Sequence, residues 1–183
     1  PGSIQVRYKY QYKNLLQWGV TGDKDAGEPF FRKAQKSGFD FYSVHFFVQK
    51  VYKIKSLALG DFTINMGQGL IQWQGFAFKK SSGVLSIKRQ GPAIRPYSSP
   101  GEFNFHRGAG ITLQQNKWEL TAFASFRKLS ANRVFDSVRS DMHVSSLLSS
   151  GYHRSESEIE DRNSLSIMAF GGSLQHKWTA GHV

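Results

Sequence analysis

The stretch SIQVRYKYQYK constrains this chain more than any other feature. Ile4, Val6, Tyr8, Tyr10 and Tyr12 fall on one face, and Gln5, Arg7, Lys9, Gln11 and Lys13 on the other. A period of two held over about ten residues makes an extended strand with one apolar and one polar face. A tilted strand of 9–11 residues crosses a bilayer, and a soluble amphipathic sheet shows the same alternation. The pattern returns in KWELTAFASFRK, with Trp118, Leu120, Ala122, Ala124 and Phe126 opposite Glu119, Thr121, Phe123, Ser125 and Arg127. Before it, GAGITLQQNKW supplies Ile111 and Leu113 and a polar turn at 115–117, so the two segments read as an antiparallel hairpin.

Strands are expected at about 3–13, 15–21, 38–49, 53–65, 83–89, 104–115, 117–128 and 164–178, with a join near 50–53. One short helix fits 28–36, where Pro29 suits a first turn. A polar segment at about 131–162, rich in Ser, Arg and Glu, reads as a long extracellular loop, an inward-folded plug or mobile chain. The whole chain, 1–183, then forms an all-β, antiparallel transmembrane β-barrel or part of a larger one. No apolar run approaches the roughly 20 residues of a helical span. Aromatic residues at 14%, with 15 Phe, suit side chains that face lipid or another apolar surface. Cysteine is absent, which excludes disulfides and thiolate chemistry. The formal charge of +11 favours anionic partners or a basic lumen and rim.

Taken together, GDFTINMGQGLIQWQGFAF, SIKRQGPAIRPYSSPGEFNFHRGAG and SSGYHRSESEIEDRNSL resemble a family of outer-membrane β-barrel proteins of Bacteroidetes-type bacteria. Its longer members carry a helix-hairpin-helix region related to competence DNA-binding proteins. The resemblance implies a bacterial outer-membrane location, a barrel, and no established reaction. This chain has no helix-hairpin-helix pattern, and family barrels run beyond a region like its last motif. A piece of a larger barrel is therefore expected.

Four sets of residues are candidates for function. Gly60, Gly67, Gly69 and Gly75 lack phosphate-loop or dinucleotide spacing and are expected to be structural, letting the wall bend or an inward segment approach it. On this reading Phe62, Ile64 and Met66 belong to a wall strand ending at Gly67–Gly69, and residues 70–78 form a second wall or lumen segment. Lys88, Arg89, Arg95, His106 and Arg107, interleaved with Tyr97, Phe103 and Phe105, either contact a polyanion or line a lumen and pair with carboxylates such as Glu102. His153, Arg154, Glu156 and Glu158 suggest a charged loop or plug network; metal or acid–base chemistry would require them to converge. Trp18, Trp73, Trp118 and Trp178 fall near strand ends, as interface aromatics do.

No serine sits in a nucleophile-elbow pattern and the histidines are dispersed. No metal, cofactor or catalytic residue is expected. The leading expectation is a non-catalytic outer-membrane barrel or barrel subunit in envelope transport, secretion or surface assembly. Its partners are membrane lipid or lipopolysaccharide and other envelope subunits. Two alternatives are a DNA- or polyanion-contacting envelope protein linked to DNA uptake, and a soluble all-β binding protein.

Overall fold

A computed structural model describes residues 2–31, 36, 38–74, 89, 91–136 and 140–178. The strands are β1 (Ile4–Tyr12), β2 (Leu16–Lys24), β3 (Phe41–Val51), β4 (Ile54–Ile64), β5 (Ile94–Pro96), β6 (His106–Gln115), β7 (Trp118–Leu129), β8 (Ala131–Asp136), β9 (Asp141–Leu147) and β10 (Leu165–His176). One helix, α1, spans Glu156–Glu160. The main sheet has the order β1-β2-β3-β4-β6-β7-β10, with β5 beside β4, and every pairing is antiparallel. It does not close: among the described residues no pairing joins β1 to β10. The all-β antiparallel expectation therefore holds, and a barrel complete within these strands does not.

The two ends of the sheet differ. At one end the connections are short. Lys13, Asn14 and Leu15 join β1 to β2, Tyr52 and Lys53 join β3 to β4, and Asn116 and Lys117 join β6 to β7. Lys13, Tyr52 and Asn116 take positive φ, which lets the chain reverse in so few residues. At the other end the segments 25–40, 65–105 and 130–164 are long.

The two faces are chemically reversed relative to a soluble sheet. Register places Tyr8, Val20, Val44, Leu59, Ala109, Ala124 and Phe170 on one outward face. Its large apolar side chains are exposed, Tyr8 at 54%, Val44 at 53% and Phe170 at 78%. Opposite them, Thr21, Ser43, Thr112 and Thr121 are 1% exposed, and Thr112 and Thr121 hydrogen-bond to each other at 3.1 Å. Apolar groups lie outside and polar groups inside, the opposite of water-driven folding.

One apolar cluster does lie inside, and two glycines put it there. β4 pairs with β3 as far as His45↔Gly60, and β6 pairs with β7 from Gly108↔Ser125 onward. Beyond Gly60↔Gly108, β4 and β6 pair with each other alone, and β4 takes β5 as its other neighbour. Gly60 has φ +85° and Gly108 φ +153°. A Cβ at Gly60 would overlap the carbonyl oxygen of Val44, and one at Gly108 that of Ala124. Only glycine lets this two-stranded ribbon leave the wall here. Phe47, Ala58, Phe62, Ile64, Met66 and Ile94 form the interior cluster around it.

The structure departs from the expectations at several places. Phe62, Ile64 and Met66 are interior residues beyond the wall; β4 ends at Ile64, and Met66 bridges to Gln72. Gly67–Gly69 form a tight 3-10 turn, and residues 70–74 carry no strand, with Leu70 and Ile71 exposed. Gly75, Lys88 and nearly all of the expected strand at 83–89 lie outside the described residues, while Arg89 is not in a strand. The polar segment 131–162 is more ordered than its composition suggests: β8 and β9 pair as a hairpin and α1 follows. Residues 28–31 are not helical, and 32–35 lie outside the described residues.

Trp18, Trp118 and Trp178 are exposed at the short-turn end of the sheet. Trp73 is a correction. It sits among the long loops, with the Arg89 guanidinium 5.5 Å from its ring and its indole nitrogen buried. The turn of the chain after Gly69 draws it away from the strand ends.

Candidate functional site

The inner surface carries charge in pairs. Arg107 donates from Nε to Asp61 Oδ1 at 2.7 Å and from Nη2 to Asp61 Oδ2 at 2.8 Å, and also to the Tyr42 carbonyl at 2.7 Å. Lys55 binds Glu119 at 2.6 Å. A cavity of about 420 Å³ lies inside the wall, lined by Lys9, Gln17, Lys55, Arg95, Thr112 and Glu119. The basic set read from the sequence is thus dispersed. Arg89 stacks on Trp73, its backbone N–H donates to Gln68, and its guanidinium occupies the space a Cβ on Gly69 would need. Arg95 is exposed on β5, and His106 hydrogen-bonds Gln72 and stacks on Phe62 at 5.8 Å.

A second polar group is more concentrated. His153 and Asp40 are each 2% exposed, and His153 Nδ1 bonds Asp40 Oδ2. The other ring nitrogen, Nε2, lies 3.0 Å from Ser130 Oγ. Arg162 braces Asp40, with Nη1 at 3.1 Å from Oδ1 and Nη2 donating to the Asp40 carbonyl. The His153 backbone N–H donates to Glu28 Oε1 at 2.8 Å, and the Asp25 N–H to Glu28 Oε2 at 3.0 Å. The network ties the segment after β2 to the segment before β10 over more than 100 residues of chain.

The sequence pointed to His153 in this segment but not to its partners. Asp40 is a lone acid before an aromatic strand, Ser130 lies between two strands with no motif, and Glu28 sat in an expected helix. Only the fold brings them together. Arg154 and Glu158 pair separately at 3.8 Å, Arg154 lies 4.0 Å from the Tyr152 ring, and Glu156 is exposed. Glu158 instead completes the capping box of α1 with Ser155, a Ser-x-x-Glu signal present in the sequence. The Ser155 and Arg154 N–H groups hold its carboxyl below the usual range.

Glu28, Asp40 and His153 offer three atoms close enough for a cation. Those atoms already serve two backbone N–H groups, Arg162 and each other, so a cation would have to displace a guanidinium and a proton. The set fits a hydrogen-bonded network better than a metal centre.

Beside it, burial pushes Glu102 from its usual 4.5 up to about 8, reinforced by the negative charges of Asp40 and Glu28. A carboxyl whose folded pKa is raised keeps a proton that the unfolded chain has lost, so stability falls as pH rises from about 4.5 to about 8. The full shift corresponds to about 5 kcal/mol, and partial exposure with screening reduces this to about 2 kcal/mol. Glu102→Gln is therefore expected to leave the urea unfolding midpoint nearly unchanged at pH 4.5 and to raise it at pH 8.5. Equal effects at both pH values would show that Glu102 ionises normally.

No family model matches the chain, and no curated protein or solved structure matches it.

Proposed function

We propose that the chain is a wall segment of a bacterial outer-membrane β-barrel, acting in envelope transport, secretion or surface assembly. The observation that carries this reading is the reversed sheet. Strands β2, β3, β4, β6 and β7, 9–12 residues each, expose an apolar face and bury polar residues such as Thr21, Ser43, His45, Ser56, Thr112 and Thr121 on the other, while β1 is exposed on both faces and the inner side of β10 is half-buried. Such strands suit a bilayer, and water offers no reason to leave that face uncovered. Short turns at one end and long segments at the other match the periplasmic and external ends of such barrels. Exposed Trp18, Trp118 and Trp178 at the short-turn end suit an interface girdle. In lipid an unpaired strand edge is too costly, so the free edges of β1 and β10 take further strands.

The polyanion reading has less support, because Arg107 is committed to Asp61 and Arg89 to Trp73. A soluble binding protein accounts poorly for the exposed apolar face. Reconstitution decides. The chain is expected to float with lipid vesicles after an alkaline carbonate wash, with Trp18 and Trp118 fluorescence quenched by brominated lipid tails. A monodisperse protein in detergent-free buffer, left behind by the vesicles, would overturn the membrane reading.

A further inference from the structure

Where the β4–β6 ribbon leaves the sheet, residues 41–44 of β3 keep only β2 and residues 126–129 of β7 only β10 as paired neighbours. A cavity of about 220 Å³ occupies that place, with Asp40 and Tyr42 on one side and Arg127, Leu129, Ser130 and His153 among its other walls. Asp40, paired with Arg162, accepts hydrogen bonds, so His153 carries its proton on Nδ1. In the neutral imidazole Nε2 is then the acceptor for the Ser130 hydroxyl, 3.0 Å away. Serine, imidazole and carboxylate in this order are the geometry of an activated nucleophile, recognisable without sequence motif or chain order. Arg127 faces the same cavity, and among the described residues its buried Nη1 has no hydrogen-bond partner. Its Nη2 donates to the Phe103 carbonyl and its face lies 4.4 Å from the Phe105 ring, so Nη1 is the donor left for a developing oxyanion or an anionic head group.

We infer that Ser130, His153 and Asp40 form a hydrolytic site for acyl esters of anionic lipids, entered through the gap between β3 and β7. Ser130 Oγ attacks the ester carbonyl carbon while its proton passes to His153 Nε2, forming a tetrahedral oxyanion beside Arg127. Collapse breaks the bond to the leaving oxygen, which takes the proton from His153, and an acyl-Ser130 remains. Water then attacks the acyl carbon, gives a proton to His153, and the fatty acid departs as that proton returns to Ser130. The sum is ester plus water giving acid plus alcohol, with no further reactant. Asp40 acts through His153 and is a positioning residue.

The lipid substrate rests on the membrane reading above, whereas the nucleophile does not. The test uses the chain reconstituted in phosphatidylglycerol or phosphatidylcholine vesicles and treated with a fluorophosphonate probe. The expected result is a covalent adduct on Ser130 by peptide mapping, lost in Ser130→Ala. Fatty-acid release should be faster from phosphatidylglycerol and fall at least 100-fold in Ser130→Ala. Ser130→Ala removes one hydroxyl, and its co-flotation with vesicles checks that it inserts as the wild type does. An unlabelled Ser130 in floated protein overturns the site and leaves the barrel reading standing. Labelling with hydrolysis of soluble esters alone overturns the lipid substrate.

Discussion

Gly60→Val is expected to abolish the folded sheet, the largest effect of any single substitution considered. Two costs combine at this position. Gly60 has φ +85°, a region that strains a β-branched residue by about 1–3 kcal/mol. The added Cβ would also overlap the Val44 carbonyl oxygen, which is backbone and cannot rotate aside. Relief requires β3 and β4 to separate, and Gly60↔Gly108 and His45↔Gly60 would be lost together. The sum, roughly 3–6 kcal/mol, is comparable to the total stability of many domains. The measurement is refolding into lipid vesicles followed by resistance to unfolding on cold electrophoresis. Gly2→Ala is the control, since nothing lies within 4 Å of a Cβ there. Refolding of Gly60→Val with the wild-type urea midpoint would remove the ribbon argument, and with it the gap between β3 and β7.

The glycines also show what the sequence could and could not disclose. Period-two alternation located the wall strands to within a few residues, because a sheet with two unlike faces writes its register directly into composition. β1 and β7 are legible residue by residue for that reason. The interior is different. Phe62 and Ile64 continue an apolar alternation beyond Gly60, so nothing local distinguishes a strand in the wall from one that has turned inward. β8 and β9 were hidden by the reverse effect, since Val134, Phe135, Met142 and Val144 are exposed within a polar segment. The Ser130–His153–Asp40 group is the extreme case. Its members are separated by 23 and 113 positions, and only the long-loop end of the sheet brings them into contact. Hydrogen bonds between distant loops leave no periodic trace.

Ala122→Arg is expected to destabilise the chain in lipid by about 2–4 kcal/mol while leaving it nearly unchanged if the same face meets water. Ala122 is exposed near the middle of β7, between Ile111 of β6 and Gly172 of β10. An exposed Ala gives up little packing when replaced, so the cost reports the surroundings of the new charge. On the membrane reading, a guanidinium at the middle of β7 sits in hydrocarbon, too far from either interface to reach water without thinning the bilayer. Ala122→Leu provides the matched control: it adds apolar surface at the same point and is expected to be neutral or stabilising in a bilayer. In water that added apolar surface gains nothing and favours association. Urea titration in vesicles therefore orders the variants Leu, Ala, Arg from most to least stable if the face is a lipid face. Equal midpoints for Ala and Arg would mean that the outward face is wet. The membrane reading would then fail.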